Sequence, residues 1–465
     1  MKFLKCFTII LFCIVMILPI ATFNTKSDVL SEIDNRKLAE NPFSATEGDF
    51  TSNVENYVND RIGFRDEMIL GYTVLNDKLF GKMAHPTYVY GQDGYIFGAG
   101  LDTETYEDYH ETFADMLKKL QDYCEERKVP FLAVFNPTKS AILTEYLPKG
   151  MYYNRDWVDE FTSALEKRGV NYLDNTKTLK DKHLAGEVVF NQKYDANHWN
   201  DLGAFYGTTE IVSTLKNDMP TVHVTTKDEI TVSKELQTTL PVSKFPIEEY
   251  VPSISIDMDY ENLTGNYSGE LELNPSYRSF GCYRNSKLQS EGAPRALVFQ
   301  GSYMNNYGYK YFINAFGEYI HVHDYQNVLN FDYYFNVFKP ECVIFEVAEY
   351  TLNETYFSYK GMKNMSLNKT LANNEAEVSV KENAILKKSD LTVEKGDTLT
   401  TIIWNTDKTY TSVWLKGSSE YDFKKCENGY KVTLKTEDYL KLADKFQIVA
   451  LEKGNSLIYM SVSKK

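Results

Sequence analysis

The sequence predicts an α/β protein built on a parallel sheet with helices on both faces, followed by a small all-β domain. The main observation is that helical stripes alternate with short apolar runs between residues 105 and 346, a pattern typical of a parallel sheet. From residue 377 onward the pattern is β, as at 399–404 and 430–434, with little helical periodicity. An uncharged apolar run at residues 7–23 precedes both parts and predicts a signal or a membrane anchor.

Charges on either side of the apolar run predict its orientation. Lys2 and Lys5 precede it, whereas Asp28, Glu32 and Asp34 follow it. By the positive-inside rule the N-terminus stays in the cytoplasm and the body is exported. The run has 17 residues, close to the lower limit for a span. Residues 21–23 make a poor cleavage site. This favours an uncleaved anchor that comprises residues 1–28, and the alternative is a cleaved signal that would leave a secreted protein.

The next segments lead into the predicted sheet. A polar stalk is predicted at 29–52, followed by a helical region at 53–80 that is broken at 60–65. The predicted elements that follow are a strand, turn and strand at 89–97, a helix at 105–127, a strand at 131–135, a helix at 157–167, a strand at 171–173 and a helix at 203–216.

An insertion divides the predicted α/β domain, which covers residues 53–365. Residues 222–281 are rich in Thr, Ser, Val and Tyr and predict a β-rich insertion or lid at about 220–290. The alternation resumes with a strand at 296–299, a helix at 304–315, a strand at 319–322, a further helix and a strand at 342–346. After a linker at 360–374, a C-terminal β domain is predicted at 377–465.

Composition narrows the possible partners. The net charge of -15 argues against nucleic acid, which requires a basic surface. The 35 tyrosines suit sugar binding but also fill cores. Cys124, Cys282, Cys342 and Cys426 have no metal-binding spacing and allow three disulfide pairings, so no metal and no cofactor is predicted.

The segment 194–201 contains a candidate catalytic pair. Asp195 and His198 are three residues apart, close enough for the carboxylate to hold one imidazole nitrogen and leave the other free to take a proton. Asn200 or Asp201 can cap the helix that follows. The alternative is a turn in which His198 and Trp199 simply pack.

Ser302 is the candidate nucleophile. It follows the predicted strand at 296–299 and stands where a helix begins, at the edge where parallel sheets bind ligands. Gly301 allows a sharp turn, and amides at the start of the helix can hold an oxyanion. The strands leading to both sites are expected to be neighbours in one sheet. The alternative is that Ser302 only caps the helix.

Several stretches between about residues 31 and 352 resemble one family, the AlgX/AlgJ-like proteins and their DHHW relatives in the SGNH hydrolase superfamily. They are Asn35-Arg36, Asn59-Asp60-Arg61 with Phe64-Arg65, the turn at 91–97, Pro137-Thr138-Lys139, residues 195–199, Gly301-Ser302-Tyr303 and residues 346–349. The Asp-His pair precedes the Ser, as in the family. The resemblance implies an SGNH-like three-layer fold.

The sequence departs from the family pattern at three places. Two residues separate Asp195 from His198, where many members have one, but this is the spacing of the wider superfamily. The usual Gly-Asp-Ser is Gln300-Gly301-Ser302, without the Asp. The family's accessory arginine has no counterpart at 323–326.

The resemblance implies a membrane-anchored, extracytoplasmic O-acetyltransferase or acetylesterase that acts on an exported or surface polysaccharide. Ser302 is then the nucleophile, His198 the general base and Asp195 its orienting partner, with Trp199 and Tyr303 expected to bind substrate. The family also implies a membrane-bound O-acyltransferase partner as acetyl donor. The C-terminal β domain stands where the alginate protein has a carbohydrate-binding module. The alternative function is a catalytically silent glycan-binding or assembly protein of the same fold.

Overall fold

The first helix of the computed structural model, α1 (Lys2–Ala21), is apolar and long enough to cross a membrane, by length and composition. The structure describes residues 2–27, 29–31, 33, 36–44, 49–85, 87–100, 105–378, 380–442, 446–453 and 456–462. Asp28, Glu32, Asp34 and Asn35, used above as flanking charges or as part of a motif, lie outside these residues. The predicted anchor therefore coincides with a continuous helix.

The segment after α1 folds back on two helices. It contains β1 (Leu30–Ser31) and β2 (Arg36–Lys37), and it is followed by α2 (Phe50–Arg61) and α3 (Arg65–Phe80). Arg36 donates hydrogen bonds to Asp60 at 2.6 Å, and Arg61 donates to the carbonyl of Ala39 at 2.8 Å. The predicted break between the helices is confirmed, because Phe64 has a left-handed backbone (φ 60°). The 29–52 stalk boundaries stay a prediction, and residues 45–48 lie outside the described part.

The α/β region contains these elements in order: β3 (Tyr88–Tyr90), β4 (Ile96–Gly98), α4 (Asp108–Glu126), β5 (Phe131–Asn136), α5 (Lys139–Ile142), α6 (Asp156–Arg168), β6 (Tyr172–Asp174), α7 (Thr176–Leu184), α8 (Asp201–Leu215), β7 (Ile230–Thr239), β8 (Pro246–Ile256), β9 (Glu261–Asn262), β10 (Phe280–Arg284), α9 (Ser286–Ser290), β11 (Arg295–Gln300), α10 (Tyr309–Ile313), β12 (Glu318–His323), α11 (Phe331–Phe338) and β13 (Cys342–Ala348).

The main sheet has the order β6-β5-β13-β11-β12-β10-β9. Its first five strands are parallel, and β10 and β9 extend it as antiparallel edge strands. Within the predicted insertion, β7 and β8 form a separate hairpin, whereas β9 and β10 belong to the main sheet.

Alternate residues of the central strands face opposite layers of helices. Leu297 and Phe299 pack into the core on the side of α4, α6 and α11, whereas Ala296 and Val298 pack into the core on the side of α8 and α10. This alternation follows from the two-residue period of a strand. The predicted three-layer α/β fold is confirmed.

The remaining described residues form three short helices and two further sheets. The elements are α12 (Tyr359–Lys363), α13 (Leu371–Glu377), β14 (Val380–Leu386), β15 (Leu391–Lys395), β16 (Leu399–Asn405), β17 (Ser412–Lys416), β18 (Glu420–Asp422), β19 (Lys424–Cys426), β20 (Gly429–Lys435), α14 (Thr436–Leu442), β21 (Gln447–Leu451) and β22 (Ser456–Val462). The sheets have the orders β14-β22-β21-β17-β18 and β15-β16-β20-β19, so the predicted β character is confirmed.

This β region has its own core and also contacts the α/β region. Ile402, Leu434 and Ile448 are buried in one cluster with no residue of the main sheet. Asp422 accepts a hydrogen bond from Arg127, directly after α4, at 2.8 Å, and its carbonyl accepts one from Asn336. The predicted linker is partly helical, because most of α12 and the start of α13 lie within it. The boundaries at 365 and 377 stay predictions.

Candidate functional site

The candidate residues come from two loops at the carboxyl edge of the sheet. Ser302 follows β11, at the start of a helical turn that continues into a π-helical segment, Met304–Gly308. Asp195 and His198 lie in the loop between α7 and α8. The expectation that neighbouring strands lead to both sites is wrong, because a helix precedes this loop and β6 is separated from β11 by two strands.

Asp195, His198 and Ser302 form one hydrogen-bonded chain. His198 Nε2 lies 2.7 Å from Ser302 Oγ, although 104 residues separate them in sequence. His198 Nδ1 lies 2.9 Å from both carboxylate oxygens of Asp195. The carboxylate thus holds one imidazole nitrogen, and the other nitrogen faces the serine hydroxyl. The structure brings the three predicted residues together, while their catalytic roles stay a prediction.

A tight turn aims the Asp195 carboxylate at His198. Asp195 has a left-handed backbone (φ 65°), a conformation that costs free energy in a residue other than glycine. Its Oδ1 accepts the backbone N–H groups of Asn197 and His198, each at 3.0 Å. Lys139 Nζ donates to the Asp195 carbonyl at 3.2 Å and to the carbonyls of Ile96 and Gln192. The strained turn is therefore held by hydrogen bonds to the side chain of Asp195 and to its backbone carbonyl.

The charges of the pair reinforce each other. Burial by itself raises the pKa of Asp195, but the charge and hydrogen bonds of His198 outweigh it and hold that pKa below its usual value. Burial likewise lowers the pKa of His198, but the neighbouring Asp195 carboxylate outweighs it and raises that pKa. Asp195 therefore stays ionised and stabilises the imidazolium that forms when His198 takes a proton.

Lys139 is buried without a carboxylate in direct contact. Burial lowers its pKa to about 7, against the opposing charges of Asp195 and Glu249. Its three carbonyl partners come from β4 and from two points in the loop that carries Asp195. In the sequence, Lys139 is notable only as part of the Pro137-Thr138-Lys139 stretch that resembles the family. The structure places it beneath the Asp195 turn.

Trp199 and Tyr303 lie behind the pair and not at a surface. Both side chains have no exposed area. Trp199 Nε1 donates to the Tyr303 carbonyl at 3.0 Å, and the Tyr303 ring lies 5.0 Å from the His198 ring. The predicted contact of these two residues with substrate is not supported by this burial. They support the imidazole and the serine turn.

Helix α8 follows the Asp195–His198 pair, and Asn200 caps its N-terminus. Asn200 Oδ1 accepts the N–H of Gly203 at 2.9 Å, so Asn200 is the N-cap. Asp201 instead accepts a hydrogen bond from Lys310 Nζ at 2.6 Å and another from the N–H of Ile254. The cap fixes the end of the loop directly after His198 and Trp199.

Tyr350 was not identified from the sequence and lies in direct contact with the pair. Its hydroxyl is 3.0 Å from Ser302 Oγ and 3.0 Å from His198 Nε2. Burial raises the pKa of Tyr350, so the hydroxyl keeps its proton. Tyr350 follows β13, whose carboxyl end meets that of β11 at one edge of the sheet. The reasoning that selected Ser302 could therefore have selected residues 349 and 350.

A second network holds the backbone of the serine turn. Glu346, on β13, accepts the N–H of Gly301 at 2.9 Å and the amide of Asn136 at 2.8 Å. Asn175 in turn donates to Asn136 at 2.8 Å. Burial and the nearby Asp324 carboxyl raise the pKa of Glu346 to about 8. Because the N–H of Gly301 is already donated, it does not contribute to an oxyanion site.

Asp324 occupies the space beside Gly301. Its carboxylate is fully buried, and its oxygens lie 3.5 and 3.6 Å from where a Cβ on Gly301 would be. Burial raises the pKa of Asp324, against the opposing effect of His323. A Cβ at position 301 would be in van der Waals contact with this carboxyl group. Among the described residues, no three His, Cys, Asp or Glu side chains gather as a metal site.

Comparison with known proteins gives a family match over part of the chain. Residues 88–253 match the family described as ALGX, SGNH hydrolase-like domain, acetyltransferase AlgX. The resemblance predicted from the sequence is thereby confirmed over that segment, which includes Asp195 and His198 but ends before Ser302. No curated protein matches the chain.

Three solved structures are similar to the chain. The O-acetyltransferase domain of Pseudomonas putida AlgJ is 15% identical, with 61% of this chain and 100% of that chain covered and a TM-score of 0.42. Bacillus cereus PatB1 is 14% identical, with 57% and 97% covered and a TM-score of 0.44. A DHHW family protein from Eubacterium siraeum is 17% identical, with 62% and 98% covered and a TM-score of 0.43.

Proposed function

We propose that this chain, part of which matches an SGNH hydrolase-like acetyltransferase family, is a serine-dependent O-acetyltransferase or acetylesterase. It acts outside the cytoplasmic membrane on a polysaccharide, and Ser302 is its nucleophile. The observation that carries the proposal is the continuous hydrogen-bonded chain from Asp195 through His198 to Ser302. Such a chain is the arrangement that activates a serine hydroxyl.

In the first half-reaction the serine takes the acetyl group. Ser302 Oγ attacks the carbonyl carbon of an acetyl ester donor, and its proton passes to His198 Nε2. The tetrahedral intermediate then expels the donor's alcohol, which leaves with the proton from His198. An acetyl ester on Ser302 remains, and Asp195 has stabilised the transient imidazolium.

In the second half-reaction the acetyl group moves to the acceptor. A sugar hydroxyl, or water in the esterase reaction, gives its proton to His198 Nε2 and attacks the acetyl carbonyl. Ser302 leaves and recovers its proton from His198. The free enzyme is restored. The product is an acetyl ester of the sugar after transfer, or acetic acid when water is the acceptor.

Tyr350 is the proposed side-chain donor to the oxyanion. Its hydroxyl contacts Ser302 Oγ and so lies beside the point where the carbonyl oxygen gains negative charge. The N–H of Gly301 is taken up by Glu346, so a second donor has to come from the amides that begin the helical turn. Donors fixed in advance at such a position stabilise the transition state more than the substrate.

Membrane attachment is the second part of the proposal. The apolar helix α1 fits a membrane anchor, and the lysines in its first turn orient the body outwards. A polysaccharide acceptor is consistent with the matched family. A membrane-bound O-acyltransferase as acetyl donor is an expectation from the resemblance alone.

The test is detection of the covalent intermediate. Purified protein is incubated with an activated acetyl ester, and the peptide that contains Ser302 is examined by mass spectrometry for an acetyl adduct. Ser302→Ala should abolish both adduct and turnover. Ser358→Ala is the matched control, because Ser358 caps α12 through its hydroxyl but lies outside the site. It should lose about 0.5–2 kcal/mol of stability and keep its activity.

The same experiment distinguishes the silent alternative. A folded wild-type protein with no adduct and no turnover, yet with measurable affinity for an oligosaccharide, would support a glycan-binding or assembly protein. Equal turnover by wild type and Ser302→Ala would remove Ser302 as the nucleophile.

A further inference from the structure

Helix α3 exposes a continuous apolar stripe to solvent. Phe64, directly before the helix, and Met68, Tyr72, Leu75 and Leu79 are all exposed. Their spacing of four, four, three and four residues places them on one face. Exposed apolar patches of this kind mark sites where another surface binds.

Two charged residues border the stripe. At 100° per residue, Glu67 and Lys78 fall on the same flank of the helix, just outside the apolar face. Both are exposed. Charged residues along the side of an apolar face are typical of a helix that lies in a membrane interface.

The stripe begins where the predicted membrane span ends. The N–H of Gly63 donates to the carbonyl of Pro19, in the last turn of α1, at 2.9 Å. The N–H of Asn24 donates to the carbonyl of Arg61 at 2.8 Å, and the guanidinium of Arg61 donates back to Asn24. These bonds place the start of α3 against the end of α1. Since α1 is about as long as a hydrocarbon core is thick, this junction lies near the bilayer surface.

The opposite face of α3 packs towards the catalytic loop. Leu70 and Val74 pack against a cluster that contains Tyr88, Ile96 and Ala196. Ala196 is the residue between Asp195 and Asn197 of the catalytic turn. A surface bound to the outer face of α3 is therefore connected to that turn through a single layer of side chains.

We propose that α3 lies along the outer surface of the lipid bilayer, with its apolar stripe inserted in the interface. The proposal rests on the membrane attachment proposed above. The bilayer is favoured over a second copy of the chain because α1 already holds the start of the stripe at that surface. No residue of the stripe is charged and the protein is acidic overall, so the interaction does not depend on anionic lipid.

Tryptophan fluorescence can test this in the full-length protein. The four native tryptophans have at most 3% exposed area, so brominated lipid chains should quench only an added one. Leu79→Trp is the decisive variant, because it is about 22 Å along the helix from Phe64. Phe12→Trp reports insertion of α1, and Leu440→Trp, exposed on α14, is the control. Each variant is reconstituted into phosphatidylcholine vesicles with and without brominated chains.

We expect the added fluorescence of Leu79→Trp to fall about two-fold in brominated vesicles, since an interfacial apolar face reaches the acyl chains, with Leu440→Trp unchanged. Quenching of Phe12→Trp without quenching of Leu79→Trp would overturn the proposal and leave the anchor intact. That result would arise if α3 stands upright or binds a second copy. Absence of quenching at both positions would overturn the anchor and the proposal together.

Discussion

Tyr350→Phe is the most direct probe of the site, because it removes one oxygen atom that contacts both Ser302 and His198. The hydroxyl is 3.0 Å from each of their polar atoms. In the resting site it lies within hydrogen-bond distance of Ser302 Oγ and of His198 Nε2. In the transition state it is available to the oxyanion. The phenylalanine ring keeps the packing and loses only the donor.

The size of the effect distinguishes a catalytic from a structural hydroxyl. Loss of one preorganised oxyanion donor lowers kcat by about 10²–10³-fold. Loss of an ordinary buried hydrogen bond costs about 0.5–1.5 kcal/mol of stability and leaves kcat almost unchanged. Tyr319→Phe is the control, because Tyr319 is a buried tyrosine whose hydroxyl donates to Gln300 at 2.6 Å, with no contact to the triad.

The assay is the hydrolysis of an activated acetyl ester, with stability measured in parallel by urea unfolding. We expect both variants to lose similar stability and only Tyr350→Phe to lose kcat. If Tyr350→Phe keeps more than about half of its kcat, well short of the loss expected for an oxyanion donor, the hydroxyl is not such a donor.

Three further predictions concern charge and domain structure. Asp195→Asn should lower kcat by about 10³–10⁴-fold. Because the carboxylate raises the pKa of His198, the acidic limb of the pH–rate profile should also move to lower pH, and an unmoved limb would contradict the assigned pairing. Glu346 has a pKa raised from 4.5 to about 8, so the folded state binds its proton more tightly than the unfolded state. This contribution to stability should fall by about 3 kcal/mol from pH 5 to pH 8. Glu346→Gln should lack this dependence in urea titrations, and identical pH profiles for variant and wild type would refute the shift. Residues 377–465, expressed alone, should fold cooperatively with a β-type circular dichroism spectrum, since they bury their own core, and a disordered fragment would move the boundary.

The elements with strong local patterns could be predicted from the sequence. The strands at 131–135, 296–299 and 342–346 are uninterrupted apolar runs, and each is a buried parallel strand in the structure. The stripe at 105–127 is a helix whose apolar face lies in the core. The short helices in the predicted linker at 360–374 were not predicted. Helices as short as α12 depend on tertiary contacts more than on their own propensity.

By itself, the sequence determined the alternation of helix and strand, the apolar segment near the N-terminus, and the identity of Asp195, His198 and Ser302 as chemically capable residues. Local spacing was enough for Asp195 and His198, since three residues of chain bring a carboxylate to an imidazole. Only the tertiary structure decided that Ser302 meets them, that Tyr350 joins them, and that Glu346 takes the amide of Gly301. Those contacts bridge 45 to 152 residues. The contacts of Tyr350 and Glu346 with the serine turn depend on β11 and β13 being neighbours in the sheet, whereas His198 reaches the turn from the loop between α7 and α8. Burial decided the position of Trp199 and Tyr303 relative to a ligand. In the sequence they look like sugar-binding aromatics, but in the structure they have no exposed surface for a ligand.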